Sequence, residues 1–98
     1  MKLVRFAGPA RTEFLAAAVY YDRKQPGLGR LFAIAVENAA RRVQRKPDLY
    51  RLIESNIRKC RVARFPYAPI FRERTDVIEI IAVMHLRRRP GYWRQRNI

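Results

Sequence analysis

VIEIIAVM, Val77 to Met84, decides the fold. All of it but Glu79 is apolar, more than a strand with one wet face would carry. The run is therefore expected to be the central strand of a sheet, buried on both faces. Reading backwards, Thr75-Asp76 is a tight turn, and Ala68 to Arg74 is a strand in which Pro69 marks an edge or a bulge. Phe65-Pro66-Tyr67 punctuates the chain before it, and Ile57 to Ala63 is a further strand rich in positive charge. DLYRLIESN, residues 48–56, reads as a connector.

Further upstream the hydrophobic period changes from two to that of a helix. Phe32, Val36, Ala39 and Val43 recur at i, i+4, i+7 and i+11, one continuous face. Arg41, Arg42, Arg45 and Lys46 fill the last turns, where cations suit the carbonyl end of a helix, and Pro47 ends it. Gln25 to Gly29 is a turn signal. Before it, ARTEFLAAAVYYDRK, Ala10 to Lys24, reads as a helix rich in strong helix formers. Phe14, Ala18 and Tyr21, with Leu15 and Val19, are expected to make its apolar stripe. Thr12 is a candidate cap for a later start. Gly8-Pro9 breaks the chain, and KLVRF, Lys2 to Phe6, alternates as a short first strand. The order is βααβββ. The expected class is α+β, with a helix hairpin packed on one face of a small, mainly antiparallel sheet.

Composition bounds what such a fold can do. A chain of 98 residues suits one domain spanning residues 1–98. A hydrophobic content of 49% excludes global disorder. The net charge of +14 and a pI near 11.4 call for a polyanion or an acidic partner. Residues 58–98 carry 11 basic and 3 acidic groups, net +8, against 11 basic and 5 acidic, net +6, in the longer segment 1–57. The charge therefore concentrates on the sheet and tail. Cys60 is the single cysteine, which excludes an internal disulfide and a cysteine-rich zinc site and fits a reducing compartment. Neither a signal peptide nor a run of ~20 apolar residues is present, so a soluble, cytoplasmic protein is expected, with no membrane contact. No metal and no cofactor are expected.

The tail, HLRRRPGYWRQR from His85 to Arg96, holds the residue types of metal-free RNA cleavage. That chemistry needs a base for the 2′-hydroxyl, cations for the phosphorane and an acid for the leaving oxygen. The candidate catalytic set is His85 as base or acid, Arg61 and Arg87 on the phosphate, and Tyr92 as a stacking or acid group. As a contact surface for a partner or nucleic acid, the candidates are Arg58, Arg61, Arg64, Tyr67, Arg87, Arg88, Arg89, Arg94 and Arg96. Each has a plainer reading. His85 closes a buried strand, where a lone histidine is commonly structural. Arg87 to Arg89 can be a solvated run. Cys60 reads as a small core residue, and Trp93 as an anchor folding the tail back.

Three stretches together resemble the ParE/RelE superfamily of toxins from bacterial type II toxin–antitoxin (plasmid stabilisation) systems. They are the hairpin YYDRKQPGLGRLFAIAVENAARRVQRKP, the segment IRKCRVARFPYAPIFRER with Arg-Phe-Pro-Tyr at Arg64 to Tyr67, and IIAVMHLRRRPGYWRQR. The resemblance implies the βααβββ fold and a cognate antitoxin that wraps the toxin with an amphipathic, often acidic segment. It also implies growth inhibition by one of two routes. ParE-like members inhibit DNA gyrase; RelE-like members cleave mRNA on the ribosome. Where RelE-type nucleases often carry a catalytic arginine after the Pro-Tyr of the third strand, this chain has Ala68. No lysine pair precedes the second strand, where Ser55 to Lys59 stand. The sequence therefore favours a ParE-like binding toxin, with a metal-independent endoribonuclease as the alternative and a non-toxic basic interaction module as a third reading. A homodimer and a toxin–antitoxin hetero-oligomer are both open. DNA autoregulation is not legible.

Overall fold

The computed structural model describes residues 1–96. Strand β1 (Leu3–Phe6) leads into helices α1 (Gly8–Lys24) and α2 (Leu28–Arg45). A 3-10 turn (Pro47–Leu49) precedes strands β2 (Arg51–Glu54), β3 (Ile57–Lys59), β4 (Tyr67–Glu73) and β5 (Val77–His85), and a second 3-10 turn (Tyr92–Gln95) ends the described chain. The sheet order is β1-β5-β4-β3-β2, antiparallel except for the parallel pair β1–β5. This is the expected α+β hairpin-on-sheet architecture with one strand more. The supposed connector 48–56 contains β2, whose Arg51 and Leu52 are exposed and so give no apolar signal.

β5 is buried from Ile78 to Met84, as its composition requires, although β4 occupies the middle of the sheet. Its side chains do not simply alternate. Ile70 pairs with Ala82 but Phe71 pairs with Ile80, so Ile81 is an extra residue, a β-bulge. Ile78, Ile80 and Val83 consequently face the helices, while Ile81, Ala82 and Met84 join Trp93 on the opposite face. Pro69 sits next to this irregularity in an interior strand, not at an edge. Its carbonyl accepts the Cys60 N–H at 3.1 Å, but a proline has no N–H to return to Cys60. Regular pairing therefore ends at Lys59, four residues short of the strand expected through Ala63, although Val62 still donates to the Tyr67 carbonyl at 2.9 Å.

The helix hairpin covers one face. α2 buries Phe32, Val36, Ala39 and Val43 completely, the stripe read from their spacing. α1 starts earlier than expected. Gly8-Pro9 forms its first turn, where the missing proline N–H removes no intrahelical bond. Thr12 is thus inside the helix and donates back to the Gly8 carbonyl. The α1 stripe also divides. Phe14, Ala17, Ala18 and Tyr21 pack inward, while Leu15, Val19 and Tyr20 are about half exposed. Asp22 ties the hairpin, accepting the N–H groups of Gly27 and Gly29 at the start of α2 at 3.0 and 3.3 Å. A Cβ on Gly29 would stand 2.9 Å from that of Asp22, so only glycine admits this approach.

Candidate functional site

The tail leaves β5 through a turn in which Arg88 N–H donates to the His85 carbonyl and Leu86 N–H to that of Pro66. The His85 ring accepts the Arg87 N–H on Nδ1 at 3.0 Å and meets the Tyr67 ring edge-on, centroids 4.9 Å apart. Tyr67 in turn touches Phe32 and Tyr21, so the histidine is the rim of an aromatic cluster running into the core. Burial raises the Tyr67 pKa and keeps its phenol protonated. Tyr67, His85, Arg88, Glu13 and Tyr20 line one cleft of about 330 Å³ beside α1.

Beyond the turn, the tail wraps the margin of β5. β1 pairs with β5 only as far as Phe6 with Ile80, followed by the Ala7 N–H on the Ile80 carbonyl. Past that point no strand among the described residues neighbours β5 on this side. Glu13 of α1 accepts the Val83 N–H at 2.9 Å, and Arg96 Nη1 donates to the Ile81 carbonyl at 2.9 Å. Arg96 also holds Glu13 through two hydrogen bonds of 3.0 and 2.7 Å, and the Tyr92 hydroxyl donates to Glu13 at 2.6 Å. The Arg88 guanidinium lies 3.5 Å from the same carboxylate and stacks 3.8 Å over the Tyr92 ring. Burial alone would raise the Glu13 pKa. Hydrogen bonds from Arg96, Tyr92 and Val83, with the Arg96 charge, outweigh it and hold the carboxyl below the usual range. Burial, and then the hydrogen bond to Glu13, push the Tyr92 phenol far up, so it is held as a donor.

Trp93 drops onto the far face of the sheet and is 3% exposed among Ile70, Ile81, Ala82 and Met84. Its indole N–H finds no acceptor among the described residues. Ala68, opposite Met84 in the β4–β5 ladder, is fully buried on that same face. Nearby on that face lies Glu79, 4% exposed. It accepts from Arg5 at 2.7 Å, Arg72 Nε at 3.0 Å and Arg74 at 3.4 Å. Arg72 Nη2 lies 2.9 Å from the same oxygen but out of line for a second hydrogen bond. Burial would raise the Glu79 pKa, but these guanidinium groups lower it instead.

The structure sorts the candidate cations by what they touch. Arg58 donates to the Tyr50 carbonyl at 2.8 Å and more weakly to that of Asp48, fixing the turn before β2. Arg94 makes a two-pronged pair with Glu54 at 2.7 Å, and Arg96 is engaged with Glu13. Arg88 is partly engaged. Arg61, Arg64, Arg87 and Arg89 are exposed, and their guanidinium groups make no hydrogen bond or ion pair with the described residues. Arg64 adopts a left-handed backbone (φ 71°), uncommon for a residue with a side chain. Of the RNA-cleavage set, His85, Arg87 and Tyr92 share the tail, whereas Arg61 lies on the segment after β3. Cys60 is buried, and burial raises its thiol pKa against the weaker pull of Arg42. Among the described residues no three His, Cys, Asp or Glu side chains converge as a metal site requires, and no helix is long and apolar enough to cross a membrane.

Sequence reasoning passed over Glu13 and Glu79. Both were single carboxylates among many cations, and only the fold brings arginines from distant positions around them.

Residues 4–90 match the family described as the ParE toxin of type II toxin–antitoxin system, parDE. No curated protein matches the chain by sequence. Among solved structures the chain is similar to the "Chromosomal ParDE TA system from P. aeruginosa", with a TM-score of 0.77 and 14% identity over 88% of this chain and 97% of that one. At that identity the likeness concerns the fold.

Proposed function

We propose, from the premise that this chain belongs to the ParE toxin family of type II toxin–antitoxin systems, that it arrests growth by binding DNA gyrase in the cytoplasm. A cognate antitoxin is its partner. The observation that favours binding over RNA cleavage is Ala68. The position where RelE-like nucleases often carry a catalytic arginine is here a methyl group, fully buried on the sheet face that Trp93 covers. The exposed cations Arg61, Arg64, Arg87 and Arg89 are the contact surface on this reading, since no carboxylate among the described residues pairs with them. One observation favours the nuclease alternative: His85, Tyr67 and Arg88 do share a cleft.

The antitoxin's place is the outer side of the helix hairpin. Leu15, Val19 and Tyr20 line a cleft of about 650 Å³ with Arg23 and Lys24 at its end. Leu31 and Ile34 are exposed on α2. Apolar strips closed by cations fit an amphipathic, acidic segment that folds on binding.

Expression in a bacterial host tests the toxin, and purified protein tests the target. The expected result is growth arrest by both the parent and His85→Ala, with loss of gyrase supercoiling. Normal supercoiling together with codon-positioned mRNA cuts would overturn the gyrase reading. Leu15→Asp with Val19→Asp should keep arresting growth when the antitoxin is co-expressed. Full rescue of that variant by the antitoxin would remove α1 from its footprint.

A further inference from the structure

We infer that Glu13 is the positioning residue of the toxin's contact surface. Together with Arg96 it takes the place of the strand that β1 is too short to supply, and so fixes the tail that carries Arg87 to Arg89. The inference rests on the reading that this tail makes the contact.

The backbone pattern shows the substitution. In a parallel ladder every second residue of a strand donates its N–H to one carbonyl of a given neighbour and accepts an N–H from the residue two positions on. Beyond Ile80, the open margin of β5 offers the Ile81 carbonyl and the Val83 N–H. Arg96 donates to the first and Glu13 accepts from the second, while the two side chains hydrogen-bond to each other. A carboxylate from α1 and a guanidinium from the tail thus reproduce the two bonds of one missing strand residue. Left unmet, buried backbone groups of this kind are costly, so the ion pair satisfies the sheet and fixes the tail in one step.

Trp93 cannot fix the direction of the tail alone. It is buried, but its N–H has no acceptor among the described residues, so its contribution is apolar and non-directional. Direction comes from Glu13, which receives Tyr92 and Arg96 and approaches Arg88. Arg88 in turn stacks on Tyr92. The exposed pair Arg87 and Arg89 flanks Arg88 in the chain, so this knot holds it, together with the turn bonds to His85 and Pro66.

The single tryptophan reports docking without reference to toxicity. In Glu13→Ala and separately in Arg96→Ala, Trp93 emission should shift to the red and its acrylamide quenching should rise severalfold, with the helical circular dichroism retained. Both variants should lose growth arrest. The exchange Glu13→Arg with Arg96→Glu keeps the charges of the pair but sets a donor against the Val83 N–H and an acceptor against the Ile81 carbonyl, so it should restore neither the shielding of Trp93 nor growth arrest, which a simple ion-pair role would not predict. A Trp93 that stays shielded in both single variants would overturn the proposal. Arg87→Ala with Arg89→Ala tests the contact reading separately, since it should abolish arrest with Trp93 still shielded. If that double variant still arrests growth, the contact reading fails. If it does not, yet Glu13→Ala arrests growth as the parent does, the positioning role alone falls.

Discussion

Glu79→Gln isolates the charge of a buried carboxylate on the far face of the sheet. The substitution keeps the shape and leaves Arg5, Arg72 and Arg74 around a neutral amide. Their side chains are 61%, 21% and 48% exposed. Arg5 and Arg74 can turn to water, and each exposed pair contributes at most about 1 kcal/mol. Arg72 is mostly out of water, and breaking a buried pair costs about 3–5 kcal/mol, so partial exposure puts the expected total near 3 kcal/mol. For a chain of this length that corresponds to a fall in Tm of about 15 °C at pH 7. The loss is also tied to pH. The arginines lower the pKa of Glu79 in the folded protein. Its stabilisation is therefore fully present above the ordinary carboxylate pKa and disappears as pH falls through the depressed folded value. Thermal melts monitored by circular dichroism, from neutral pH into acid, should show the parent and Glu79→Gln converging. Equal melting points at pH 7, or a gap that persists undiminished into strong acid, would refute the reasoning.

Packing sets two further outcomes. Trp93→Ala should cost about 3–5 kcal/mol in urea unfolding, whereas Trp93→Phe should cost only about 1–2 kcal/mol, because the lost N–H has no acceptor among the described residues. Equal costs for the two would mean that the indole N–H has a partner. Gly29→Ala should destabilise by roughly 1–3 kcal/mol through overpacking against Ala18 and Asp22, despite the better helix propensity of alanine. A rise in Tm would show that the hairpin can open far enough at little cost to clear the Ala18 carbonyl oxygen, which the added Cβ would otherwise overlap.

Elements whose burial leaves a periodic trace were legible in the sequence. The α2 stripe from Phe32 to Val43 and the apolar run of β5 are such traces. The hairpin, the Arg-Phe-Pro-Tyr segment and the basic tail together carried the family. β2 was missed because Arg51 and Leu52 face water, so its existence depends on pairing with β3 and on no pattern of its own. β3 was overrun because the proline that stops it lies in another strand, at Pro69. Leu15 and Val19 were placed in the core because helical spacing groups them with Phe14, while only the position of the sheet separates the two sides. The site suffered most. Arg58, Arg94 and Arg96 have the same sequence signature as Arg87 and Arg89, and they differ only in reaching a carbonyl or carboxylate that lies elsewhere in the chain.

The extra residue at Ile81 gives this protein a low tolerance for changes of length in β5. Removing one residue between Ile80 and Val83 would restore strict alternation and leave Val83 toward the helices and Met84 on the far face, so the loss falls on the tryptophan cluster and on the margin. The tryptophan cluster would lose Ile81 or Ala82 from its floor, and the carbonyl and N–H that meet Arg96 and Glu13 would no longer point outward together. Substitutions along the strand remain negotiable one side chain at a time. A deletion there changes the far face and the margin at once. Diverged relatives that keep the tail should therefore vary in the letters of this segment while keeping its count.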